Sequence, residues 1–147
     1  MESLYEVDYA QWAETVAQKL EEKRFSELGE LDLANLVEEI KDLSKRERDR
    51  LLSSMRSILQ HLLKWDYQTE KRSRSWQIII ERERKNIELY LEDSPSLKRH
   101  LCQESVDKMY CTARLDAIQE TQLEMPKECP YSIGDVLIKL IEGNFQW

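Results

Sequence analysis

Apolar side chains recur along this chain at intervals of three and four, the period of a helix that turns one face to a core. Trp12, Val16 and Leu20 follow Asp8, an N-cap residue with Gln11 three places on in the capping-box pattern. Leu33, Leu36, Val37, Ile40 and Leu43 form a second amphipathic series that begins near Asp32. Leu51, Leu52, Met55, Ile58, Leu59, Leu62 and Leu63 make the strongest stripe in the chain. Between these two series, Ser44-Lys45-Arg46-Glu47 repeats the capping pattern, which predicts a break near Ser44 and two helices over 33–64.

A polar segment from Asp66 to Arg74 precedes a helix expected from about Ser75 to Leu91, with Trp76, Ile79, Ile80, Ile87, Tyr90 and Leu91 facing inward. Ser94-Pro95 is a restart signal, a capping hydroxyl before a proline, and predicts a helix from Pro95 to about Thr121. Pro126 and Pro130 disfavour helix at the residues before them and bound an extended stretch. Ser132 caps a last short helix, Ile133 to about Ile141, ended by Gly143. No strand alternation persists and no fixed-period repeat occurs. The predicted fold is all-α, five to six helices in one bundle-like domain spanning 1–147, with the helix 45–64 at its centre. Trp12, Leu36, Ile40, Leu52, Met55, Leu59, Leu62, Trp76, Ile80 and Ile87 are expected to be largely buried.

Composition agrees. The 147 residues (17.6 kDa) are 41% hydrophobic and 35% charged, with only 3 Gly and 3 Pro, which suits one helical domain and argues against an all-β fold. The net charge of −7 argues against a general polyanion binder. It is unevenly spread: residues 1–44 carry 4 basic and 12 acidic side chains, 45–100 carry 14 and 9, and 101–147 carry 4 and 8. The beginning, Met1-Glu2-Ser3-Leu4, lacks the basic and apolar regions of a secretory signal, and apolar runs reach only the length of Ile78-Ile79-Ile80. Cys102, Cys111 and Cys129 cannot all pair within one chain, and none forms a C-x-x-C element. Were Cys102 and Cys111 on one helix, they would lie ~13 Å apart along its axis and on opposite faces. Reduced thiols in a cytoplasmic protein, with no membrane span and no cofactor, are the expectation.

Five strings in order carry a resemblance over nearly the whole chain, from Leu4-Tyr5-Glu6-Val7-Asp8 onward. They are Leu36-Val37-Glu38-Glu39-Ile40 with Asp42-Leu43, His61-Leu62-Leu63-Lys64-Trp65, Arg72-Ser73-Arg74-Ser75-Trp76, Asp93-Ser94-Pro95-Ser96-Leu97 and Cys129-Pro130-Tyr131-Ser132. On these residues the chain resembles the bacterial family catalogued as domain of unknown function 29. The resemblance implies an all-helical domain and brings no established activity.

Three groups of residues could carry chemistry. Arg56 and His61, five apart, look like the motif of the HEPN ribonucleases, helical proteins in which such a pair supports metal-independent RNA cleavage. In that reading His61 would be the general acid or base and Arg56 would steady the phosphate. Five helical steps separate their directions by ~140°, so Arg56 is expected on the flank of the leucine stripe and His61 on the exposed polar side.

Glu38, Glu39 and Asp42 resemble the E-E-x-x-[ED] string of all-helical nucleotide pyrophosphatases, where carboxylates one turn apart hold Mg²⁺. A matching second acidic pair is not present, and a solvated face opposite Leu33, Leu36 and Ile40 is the plainer expectation.

The third group is the basic, aromatic segment 64–76, with Lys64, Lys71, Arg72, Arg74 and Trp76 as anion-binding candidates beside Trp65. Cations at a helix N-terminus oppose the macrodipole, so something negative should compensate them, either a bound anion or the acidic N-terminal segment. The expected function is a small cytoplasmic module that works by association, with another protein or as a homo-oligomer, and without catalytic activity. The alternatives are the metal-independent ribonuclease and a nucleic-acid or anion binder through 64–76.

Overall fold

The structure, a computed structural model, describes residues 3–141, and every regular element among them is helical, with no strand. Six α-helices follow in order: α1 (Leu4–Val7), α2 (Tyr9–Glu21), α3 (Glu30–Tyr67), α4 (Arg74–Asp93), α5 (Gln103–Thr121) and α6 (Ile133–Ile138). Short 3₁₀ turns occupy Phe25–Glu27, Thr69–Lys71 and Pro95–His100. The all-α expectation holds. The chain divides into two compact units, residues 1–46 and 47–147.

α3 is one helix of 38 residues, so the break expected near Ser44 does not occur. Ser44, Lys45 and Arg46 are exposed. Glu47 pairs forward with Arg50 at 3.4 Å, and Lys45 lies 4.0 Å from Asp42. A Ser-x-x-Glu string is also what a solvated helix surface carries, and here it serves as surface rather than as a start.

In the first unit, Asp8 caps α2 by accepting from the Gln11 backbone N–H, as the capping pattern predicts. Trp12, Val16 and Leu28 form a small core, with Tyr5, Ala13 and Leu36 packed on it. Leu36 is thus only partly buried, and Ile40, expected inside, is 58% exposed.

The second unit holds the larger core. Leu51, Met55, Ile58, Leu59, Leu62 and Leu63 of α3 are fully buried against Ile80 and Ile87 of α4 and Val106, Tyr110 and Ala113 of α5. Leu52 and Trp76, expected inside, are half-buried. After Pro95 the chain takes a tight 3₁₀ turn that buries Leu97, and the backbone at Leu101 leaves the helical region (φ −83°, ψ 75°). The helix expected from Pro95 therefore restarts at Cys102, the N-cap of α5, and Cys102 and Cys111 do not share a helix interior. Gln122, left-handed at φ 59°, closes α5.

The extended stretch between the prolines is held by side chains. Tyr110 donates to the Pro126 carbonyl at 2.5 Å, Arg114 to those of Met125 and Pro126, and Gln103 to that of Tyr131. Ser132 and Asp135 form a full capping box at the start of α6. α6 ends at Ile138, earlier than expected: the backbone leaves the helical region at Lys139 (φ −56°, ψ 124°), and the Arg84 guanidinium donates to the carbonyls of Asp135, Val136 and Lys139 at 2.8–2.9 Å. Gly143, expected to end this helix, lies outside the described residues.

Candidate functional site

In the first unit, two parallel series run along α3, offset by one residue and so rotated by ~100°. Asp32, Leu36 and Glu39 face the N-terminal helices. Trp12 Nε1–H donates to Asp32 Oδ1 at 3.1 Å, Leu36 packs on the small core, and Glu39 accepts from the hydroxyls of Tyr5 (2.6 Å) and Tyr9 (2.5 Å). Tyr5 meets the Trp12 ring edge-on at 4.7 Å. Leu33, Val37 and Ile40 form the neighbouring series, and they are 47%, 49% and 58% exposed, with Leu43 at 57% beyond them. One α-helix surface in this unit is thus closed by polar bonds to aromatic side chains, while the apolar surface beside it is left in water. Scattered apolar exposure is ordinary, but a contiguous helical stripe of Leu, Val and Ile is the mark of an interaction surface.

Of the three carboxylates read as a possible metal string, Glu39 is held by two tyrosine hydroxyls, and Glu38 and Asp42 make only loose ion pairs along the helix. Glu38 lies 3.8 Å from Lys41 and Asp42 lies 4.0 Å from Lys45. The two tyrosine hydroxyls hold Glu39 below its usual pKa, and hydrogen bonding to Glu39 raises Tyr9 and pushes Tyr5 up to about 12. Among the described residues, no three His, Cys, Asp or Glu side chains gather closely enough to hold a metal ion.

Arg56 and His61 have separate partners in the second unit. The Arg56 guanidinium grips Asp116 Oδ2 through Nε (2.8 Å) and Nη2 (2.7 Å). His61, expected to be exposed, is only 8% exposed, with Nδ1 2.7 Å from the Ser57 carbonyl to which it donates. The reason is local: His61, Leu62, Leu63, Lys64 and Trp65 are all buried, so α3 has no polar side over this turn. Burial pushes the imidazole below its usual pKa and keeps it neutral. A shallow depression of about 290 Å³ at Arg56 is lined by Ser53, Ser57, Gln60 and Asp116, and His61 does not reach it.

The basic, aromatic segment is largely turned to internal work. Lys64 is buried, with its ammonium 2.5 Å from Glu120 and over the Trp76 ring at 4.7 Å. Arg72 donates to the Trp65 carbonyl at 2.8 Å and lies over the Trp65 ring at 5.0 Å. That carbonyl belongs to the last turn of α3, the negative end of its dipole, so Arg72 closes α3 as much as it precedes α4. Ser73 caps α4 by accepting from the Trp76 N–H. The electrostatic puzzle posed by these cations is therefore answered for Lys64 by Glu120 and for Arg72 by a helix C-terminus. Lys71 and Arg74 are exposed.

The family model described as Domain of unknown function DUF29 matches residues 4–140. The chain belongs to that family. No curated protein and no solved structure matches it at a significant level. No helix among the described residues is long and apolar enough to cross a membrane. The amphipathic series 33–43 is legible in the sequence, with Leu36 and Ile40 expected inside, and only Leu36 packs on a core; the exposed register 33/37/40 differs from the covered one by a single-residue offset, which the Trp12–Asp32 pair makes visible.

Proposed function

We propose that this chain is a non-enzymatic association module of the bacterial cytoplasm, which pairs with a second copy of itself through Leu33, Val37 and Ile40 of α3. The observation that carries the reading is the exposure of this stripe beside a helix face already closed by Trp12, Tyr5 and Tyr9. Charge selects the occupant. Residues 30–39 bear Glu30, Asp32, Glu38 and Glu39 with no basic side chain, whereas 40–46 bear Lys41, Lys45 and Arg46 against Asp42. An antiparallel second copy sets each acidic half against a basic half, and a parallel copy sets like on like. Val37 and Ile40, near the middle of the stripe, would be the dehydrated centre of such a pair. The free thiols of Cys102, Cys111 and Cys129 suit a reducing compartment.

Cross-linking tests the geometry. A residue beside a two-fold axis meets its own copy, so Val37→Cys in a background with Cys102, Cys111 and Cys129 changed to Ser should oxidise rapidly to a covalent dimer. Glu88→Cys in the same background, exposed on α4, should not. Equal rates at the two positions would contradict the antiparallel pair.

A further inference from the structure

Within the second unit, residues 47–67 of α3, the Pro95–His100 turn and the first turns of α5 enclose a groove of about 690 Å³. Cations reach it from all three elements: Arg48 from α3, Arg99 from the turn and Lys108 from α5. Their partners do not neutralise them well. Among the described residues Arg48 pairs only with its chain neighbour Asp49, at 3.4 Å with both side chains in water, an arrangement that holds a guanidinium weakly. Arg99 donates to His100 Nε2 at 3.4 Å, a neutral acceptor. Lys108 has no ion-pair partner among the described residues. A fourth cation on the wall, Arg56, is already held by Asp116. With Arg56 paired to Asp116, three cations remain in the groove lining, against the carboxylates of Asp49 and Glu104, which offset them in part.

Burial first, then Arg99 and Arg48, hold His100 below its usual pKa. Bringing like charges from three elements to one concavity is unfavourable unless an anion completes the set. The floor is different, since Leu52 and Met109 line the same groove and offer apolar contact. Its volume is in the range of small-molecule sites and far exceeds a lone phosphate.

We propose that this groove binds a small phosphorylated ligand of nucleotide size, with Arg48, Arg99 and Lys108 on the phosphate and Leu52 and Met109 beneath the organic part. The phosphate oxygens would accept charge-assisted hydrogen bonds from two guanidinium groups and an ammonium, the donor types best matched to them. The proposal is independent of self-association, because the groove lies wholly in residues 47–147.

Calorimetric titration of the full chain with inorganic tripolyphosphate and with ATP tests it. Both should bind, ATP more tightly because the floor covers its base. Arg99→Glu and Lys108→Glu should each weaken both ligands by roughly tenfold or more, and Lys85→Glu, an exposed cation on α4 paired with Glu88, should leave them unchanged. Circular dichroism confirms folding of each variant, and Arg99→Gln with Lys108→Gln serves where charge reversal unfolds the chain. Absence of binding by the folded wild type, or undiminished binding in the folded Arg99 and Lys108 variants, would overturn the site. ATP binding no tighter than tripolyphosphate would overturn the assignment of the apolar floor.

Discussion

Trp12 donates its indole N–H to Asp32 at 3.1 Å, and this bond fixes which side of α3 the N-terminal helices cover. Asp32, Leu36 and Glu39 are taken up by α1 and α2, and Leu33, Val37 and Ile40, one residue further along, stay outside. Asp32 also sits in the first turn of α3, where a carboxylate favours the helix. Asp32→Ala removes both contributions and should lower unfolding stability by roughly 1–2 kcal/mol, read from urea denaturation. No change would show that the indole bond does not hold α2 in place.

The tyrosines give a titration signature. Of the six, Tyr5 and Tyr110 are pushed up to about 12, the first by its hydrogen bond to Glu39 and the second by burial. Tyr9, through Glu39, and Tyr131, through burial and its bond to Asp66, are raised as well. A phenol whose pKa is higher in the folded state than in the unfolded one stabilises the fold fully below pH ~10 and loses that contribution as pH rises through the folded value. Phenolate absorbance should therefore rise late in the folded protein, with stability falling from pH ~10 toward 12. In Glu39→Gln, Tyr5 and Tyr9 should ionise earlier while Tyr110 and Tyr131 do not move. Glu39 itself has the opposite sign: its pKa is lowered, so its contribution is present at neutral pH and is lost as pH falls below the carboxylate range.

Arg84 is the strongest single tie of α6. Its three nitrogens donate to the backbone carbonyls of Asp135, Val136 and Lys139 at the helix end, the first of which also accepts the Lys139 N–H. Arg84→Ala should cost about 2–4 kcal/mol and speed amide exchange over 133–138. Arg84→Lys should recover less than half, since one ammonium cannot span a guanidinium's fork. Full rescue by lysine would mean that charge alone, not geometry, secures the helix.

Helix content was legible because local signals agree with the fold. Asp8, Ser132 and, apart from the half-buried Leu52, the Leu51–Leu63 stripe act as their positions predict. What was not legible depends on partners distant in the chain. Ser44 carries a start pattern inside an uninterrupted helix, because capping motifs and solvated helix surfaces use the same residues. His61 was expected in water, and its burial comes with four consecutive neighbours that α3 packs on every side. Lys64 is neutralised by Glu120, 56 residues away, and Arg72 by the end of the preceding helix, neither of which periodicity encodes. Of the candidate site, the apolar series 33–43 was visible and its direction was not. Helical spacing shows that a face is apolar, but only the Trp12–Asp32 bond shows which face is already taken.

Sedimentation equilibrium of the wild type and of Ile40→Glu tests self-association most directly. The wild type should approach twice 17.6 kDa at about 100 µM, falling toward the monomer on dilution, and Ile40→Glu should remain at 17.6 kDa with an unchanged circular dichroism spectrum. A wild type that stays at 17.6 kDa throughout, or a folded Ile40→Glu that still doubles its mass, would contradict pairing through this face of α3.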